Sequence, residues 1–252
     1  MRNFTYLTLL CAVVIVGLLA PPVMAAEIAP GDLVPFAVFP GSQENPDVDG
    51  NMVVWEDGRD GNKEIYFSNS PGTSGTRITT NSASQERPSI SGDYIVWQDN
   101  RNGNWDIYLY RRSTGEETQL TTDPGKQWLP IVRGNYIAWY DSSSGDTRIV
   151  LYDIAAGEVK DTIKCDAKTT IPGGSTEFKP ALSEKYVAWV EAADDRVHYY
   201  SIAEGKMKGP VSTSTAAQSW PSLYGSVVAW EDNRHASPDI YMIDLDDPSG
   251  GE

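Results

Sequence analysis

Gln85-Glu86-Arg87-Pro88-Ser89-Ile90-Ser91-Gly92-Asp93-Tyr94-Ile95-Val96-Trp97-Gln98-Asp99-Asn100-Arg101-Asn102-Gly103-Asn104-Trp105-Asp106-Ile107-Tyr108-Leu109-Tyr110 is a stretch whose landmarks return along the whole chain. Its central Trp recurs as Trp55, Trp97, Trp139, Trp189 and Trp230, and nine residues before each stands a proline: Pro46, Pro88, Pro130, Pro180 and Pro221. Gly50, Gly92, Gly134 and Gly225 lie five before the Trp, and Ile65, Ile107, Ile149 and Ile240 lie ten after it. Landmarks at fixed offsets mark an internal repeat of roughly 42 residues, the spacing of stacked supersecondary units. The fourth unit has Glu184 for the Gly, and Val197 arrives eight after Trp189, so its turn is two residues shorter. The third carries extra residues around Cys165 to Ser175, which predicts the longest loop there.

Within the quoted unit, β-rich runs at Pro88–Ile90, Tyr94–Gln98, Asp106–Tyr110 and Glu117–Thr121 are separated by turn residues and predict four strands. Asn102-Gly103 and Asp60-Gly61 supply the positive φ of tight hairpins. Tyr94-Ile95-Val96-Trp97 is apolar on both alternating faces, as in a strand covered on both sides. Four-stranded sheets covered on both faces and repeated at this period are propeller blades. The predicted fold is all-β, a five-bladed β-propeller of four-stranded antiparallel blades at about 43–84, 85–126, 127–176, 177–217 and 218–252. The fifth unit ends after Asp239-Ile240-Tyr241-Met242-Ile243 without a fourth strand. An apolar residue stands seven before the initial Gln in complete units (Ile78, Leu120, Val211), and Phe36 stands seven before Gln43. Residues 33–39 are therefore expected to complete blade five and close the ring, covering an otherwise bare edge.

Residues 1–26 have the layout of a signal peptide: Arg2, an apolar run from Phe4 to Ala20, then Pro21-Pro22 and a small-residue site ending at Ala25 or Ala26. A retained N-terminal anchor is the other reading. Residues 27–252 form the propeller. They contain a single cysteine, Cys165, so no intrachain disulfide is available. The chain has Lys+Arg 20 against Asp+Glu 35, a formal charge of −15. Such a field repels phosphate backbones, which excludes nucleic acid and anionic membrane surfaces as partners.

The run from Gly92 to Tyr108 resembles the β-propeller repeat of archaeal cell-surface proteins and, more loosely, TolB-type propeller repeats. The similarity is strong in units one, two and five and weaker in three and four. It implies an extracellular propeller, secreted or at the cell surface, with a role in interaction or surface architecture.

An acid follows each repeat Trp by two: Asp57, Asp99, Asp141, Glu191 and Asp232, with Arg59, Arg101 and Arg234 two further on. A ring of carboxylates suggests cations, but Asp and Asn shape turns, and identical groups in every unit suit scaffolding better than catalysis. The Asp57–Asn62 and Asp99–Asn104 stretches fail the EF-hand pattern because Gly is fifth and Arg third. No cofactor is expected, with loose calcium at these turns the remaining option. His198 aligns with Tyr66, Tyr108 and Tyr241 as a packing residue, and His235 sits in a turn. The stronger signal is in aromatics that break the repeat: Trp105, Trp128, Phe178 and Trp220 map to the loops of one blade face and are the candidate binding residues. The alternative for each Trp is packing on an adjoining blade. The predicted function is a non-enzymatic, monomeric module that binds a cell-envelope protein or glycan, or a purely structural one. The competing reading is a carbohydrate-active enzyme, a glycoside hydrolase or lyase, with Glu44, Glu86 and Glu177 as the acids.

Overall fold

The computed structural model describes residues 35–169, 178–235 and 237–248, all within one compact unit, Val34–Glu252. The predicted signal segment and Glu177 lie outside the described residues. Blade one is the antiparallel sheet of β1 (Gln43–Asp49), β2 (Met52–Asp57), β3 (Glu64–Ser68) and β4 (Thr76–Arg77). Blade two is β5 (Gln85–Ser91), β6 (Tyr94–Asp99), β7 (Asp106–Arg111) and β8 (Glu116–Gln119). Blade three is β9 (Gln127–Arg133), β10 (Tyr136–Asp141), β11 (Arg148–Asp153) and β12 (Glu158–Lys164). Blade four is β13 (Ala181–Leu182), β14 (Tyr186–Glu191), β15 (Arg196–Ser201) and β16 (Lys206–Pro210). Blade five has three strands, β17 (Gln218–Tyr224), β18 (Val227–His235) and β19 (Ser237–Asp244). The β14–β15 loop has four residues, 192–195, against six, 100–105, in blade two, the shortening expected of the fourth unit.

Four of the five repeat Trp residues lean on the sheet before their own. Trp97 packs with Val54 and Ile65 of blade one, Trp139 with Val96 and Ile107 of blade two, Trp189 with Ala138 and Ile149 of blade three, and Trp230 with Val190 and Val197 of blade four. Burying one large ring per interface removes much apolar area from water and holds neighbouring blades together. The first strands are tied as well. Asp47 Oδ2 accepts from Ser89 Oγ (2.7 Å) and Ile90 N (3.0 Å), and Asp49 Oδ2 from Gly92 N (2.6 Å). One blade on, Ser89 and Ser91 accept from Val132 N and Gly134 N.

The first strand of blade two starts three residues earlier than its sequence suggests, because a bulge lets pairing run through the proline. Register shifts between Glu86 and Ser89, leaving Arg87 at φ 56 and Pro88 outside the ladder, where a missing N–H breaks no bond. The same left-handed turn occurs at Asn45, Leu129 and Trp220, each immediately before its proline.

The closing strand is a correction. Among the described residues blade five has three strands, and residues 35–39 lie against blade one instead. Phe36 sets its ring edge-on to Trp55 at 5.9 Å, and its carbonyl accepts from Gly72 N at 2.9 Å. Phe36 thus stands against Trp55 as apolar residues of the preceding sheet stand against the other four repeat Trp rings. Ile240 and Met242, the counterparts of Ile107 and Leu109, stay 74% and 63% exposed. Leu33 and Val34, the first two residues of the predicted strand, lie outside the described residues.

Candidate functional site

The repeated acids are absorbed by the scaffold. Asp57, Asp99, Glu191 and Asp232 accept from the indole Nε1 two residues back at 2.8, 3.2, 2.9 and 3.2 Å. Asp57, Asp99 and Asp232 also fold the turn by accepting the backbone N–H of Arg59, Arg101 and Arg234, whose guanidinium groups return to the same carboxylates. Each of those Arg residues then lies over a Tyr ring: Tyr66 at 4.3 Å, Tyr108 at 4.2 Å and Tyr241 at 3.8 Å. Blade three departs, since Asp141 serves Ser143 N and Arg148 and Trp139 Nε1 has no partner among the described residues. Asn62 and Asn104 tie their turns to the following loop through the carbonyls of Asn81, Ala83, Asp123 and Gly125. Among the described residues no three His, Cys, Asp or Glu side chains are grouped to hold a metal ion.

This brace is acid-sensitive. Burial alone would raise the Asp57 carboxyl, but hydrogen bonds from Arg59 and Trp55 hold it below its ordinary value. Asp232 is held well below it, chiefly by Arg234 and against burial, with help from Gln218 and Trp230. An unfolded Asp titrates near ~3.9, so this stabilisation is complete above about pH 5 and is lost as pH falls through the folded values. The melting temperature is expected to be level between about pH 5 and 7 with respect to these groups and to drop between about pH 4 and 2. A thermal scan series unchanged down to pH 2 would contradict it.

The four repeat-breaking aromatics separate. Trp128 is buried, 6% exposed, against Tyr140 at 5.7 Å with Lys126 Nζ 4.8 Å from its ring; it is a core residue. Trp105 is half-buried just before β7, and its carbonyl accepts from Gln127 N at 2.8 Å. Phe178 and Trp220 meet, with ring centroids 4.8 Å apart. Phe178 is 4% exposed and Trp220 41%, so the first supports the second from beneath.

This pair borders a cavity of about 560 Å³ into which all five first strands or their entries contribute: Asn45, Arg87, Arg133, Lys179 and Trp220 among its lining. It is the common channel of the blades. Arg133 Nη1 reaches Asp47 Oδ2 across it at 3.3 Å, and Arg87 Nη1 donates to Asn45 Oδ1 at 2.7 Å. Burial alone would raise the Asp47 carboxyl, but Arg133 and hydrogen bonds from Ile90 and Ser89 hold it low. Burial lowers the Lys179 ammonium, and Arg87 and Arg133 add to this against Asp47 and Glu56. Lys179 has no hydrogen bond or ion pair among the described residues. The channel mouth thus gathers three basic side chains in a chain whose net charge is −15. The sequence signal was the residue just before each proline: Asn45, Arg87, Leu129, Lys179 and Trp220. Four of them line the cavity, while Leu129 is core.

A larger cleft, about 910 Å³, runs between blades three and four past Cys165, Glu191 and His198. Its chemistry is muted. Burial pushes the Cys165 thiol up to about 12, leaving it protonated and unreactive at neutral pH, and His198 Nε2 is engaged by Asp194 at 3.0 Å. His235, placed at the end of β18 rather than in a free turn, contacts Asp239 at 3.1 Å. Of the acids suspected of hydrolysis, Glu44 and Glu86 share Lys63, at 3.0 and 3.9 Å, and hydrogen bonding to Lys63 lowers the Glu44 carboxyl.

No family model and no curated protein matches the chain. Solved structures do. The chain is similar to TolB from Acinetobacter baumannii, with a TM-score of 0.52 and 20% identity over 82% of this chain and 53% of TolB. It is similar to a chain of the nidogen/laminin complex, with a TM-score of 0.54 and 15% identity over 82% of this chain and 77% of that one. A prolyl endopeptidase gives a TM-score of 0.58 at 13% identity over 80% of this chain and 33% of its own. The chain spans about half the length of TolB. These likenesses establish the architecture: this is an all-β repeat protein of β-propeller type, whose described residues form sheets of four, four, four, four and three strands.

Proposed function

We propose that the chain is a non-enzymatic binding module of the cell exterior, secreted or surface-borne, which captures its ligand at the channel mouth through Trp220 and Phe178. One observation carries this reading. Trp220, at the same left-handed position before its proline as Asn45, Arg87 and Leu129, is 41% exposed where Leu129 is fully buried, and it lines a cavity with basic groups. The cavity volume falls within the ~300–1,000 Å³ typical of small-ligand pockets, whereas a standard protein interface spreads over about 800 Å² per partner. A glycan therefore suits the site better than a broad protein surface. Hydrolysis would require a carboxyl kept protonated near neutrality, and the lowered Glu44 carboxyl points the other way. The exterior location rests on the N-terminal apolar run.

The full chain, immobilised and offered a glycan panel and solubilised envelope proteins, is expected to retain a glycan saturably without releasing new reducing ends. Trp220→Ala is expected to abolish retention with a smaller loss of melting temperature than truncation of the buried Trp128, since Trp220 is already 41% exposed against 6% for Trp128. Release of reducing ends, or retention untouched by Trp220→Ala, would overturn the reading.

A further inference from the structure

Resting on that reading of the channel mouth, we infer that its ligand is an acidic sugar, a uronate whose ring lies on Trp220 and whose carboxylate is received by Lys179. Three observations converge. The basic side chains Arg87, Arg133 and Lys179 come from three successive blades to one cavity, although the chain is strongly acidic overall. Arg133 is matched by Asp47 at 3.3 Å and Arg87 bonds to Asn45 at 2.7 Å, while Lys179 has neither hydrogen bond nor ion pair among the described residues. A half-buried ammonium that makes no hydrogen bond among the described residues is unfavourable, and a ligand anion resolves it. The charge that Lys179 brings matches a monoanion. Phe178, the residue before Lys179, supports the Trp220 ring at 4.8 Å, so the aromatic platform and the ammonium are adjacent by sequence and by space. A pyranose carrying a carboxylate presents both an apolar face and a single charge.

The probe is a galacturonate oligosaccharide and its methyl ester, titrated calorimetrically into the full chain. The free acid is expected to bind at least about tenfold tighter than the ester, the scale of one charge-assisted hydrogen bond. Lys179→Gln should remove that preference without lowering the melting temperature, whereas Trp220→Ala should weaken acid and ester alike. Equal affinity for acid and ester would overturn the inference while leaving glycan capture by Trp220 intact. Stronger competition by inorganic phosphate or sulfate than by acetate would overturn the carboxylate assignment, as would binding of an acidic peptide in preference to the sugar. Indifference of every retained ligand to Trp220→Ala would remove the underlying reading as well.

Discussion

Trp128→Ala is expected to lower the melting temperature by about 10 °C, from a loss of ~3–5 kcal/mol at ~2–4 °C per kcal/mol for a domain of this size. The indole is 6% exposed and belongs to a cluster with Leu129, Tyr140, Leu151 and Trp189. Truncation would leave a cavity between blades three and four that close-packed strands cannot collapse to fill. The contrast with Trp220→Ala separates a packing aromatic from a presenting one. A shift smaller than about 2 °C for Trp128→Ala would mean that this interface is looser than described.

Asp232→Ala is expected to remove ~3–5 kcal/mol, because it strands several donors at once around a carboxylate with no exposed surface. Trp230 Nε1, Gln218 Nε2 and the Arg234 guanidinium all converge on it, at 3.2, 2.8 and 2.8 Å. Gln218 in turn fixes blade four through Val197 N at 2.9 Å, so the loss would propagate across a blade boundary. Urea unfolding should show a lowered midpoint with an unchanged slope. Asp239→Ala, whose side chain among the described residues bonds to exposed His235, is expected to fall within about 0.5 kcal/mol of the parent. Similar losses at both positions would contradict the brace.

The blades were legible because their landmarks are local: a Trp, a proline nine before it, and a turn acid two after it recur at fixed spacing. The bulge before the proline was not legible, since a left-handed residue preceding proline runs against local preference and is imposed by pairing on either side. That bulge decides the site. Trp128 stands two before Pro130, whereas Trp220 stands one before Pro221, and one residue of register sends a side chain to the other face of a strand. Counting from the proline would have placed Trp128 with Phe178 in the interior and Trp220 with Lys179 and Arg87 at the channel. The fate of Phe36 was half legible. Its spacing from Gln43 marked it as an apolar residue of the repeat but pointed to blade five, whereas its ring edge meets Trp55 of blade one. Whether β19 would reach the same segment depends on how five interblade angles add up, which no local pattern encodes.

In the proposed function ligand capture belongs to the channel mouth, where residues depart from the repeat, and not to the repeated acids. A crystal structure of the full chain with the most strongly retained oligosaccharide tests it directly. A sugar ring is expected against Trp220, supported by Phe178, with its carboxylate within hydrogen-bond distance of Lys179 Nζ. Sugar bound instead in the cleft beside Cys165, or along the Asp57 and Asp99 turns with the channel mouth unengaged, would contradict it.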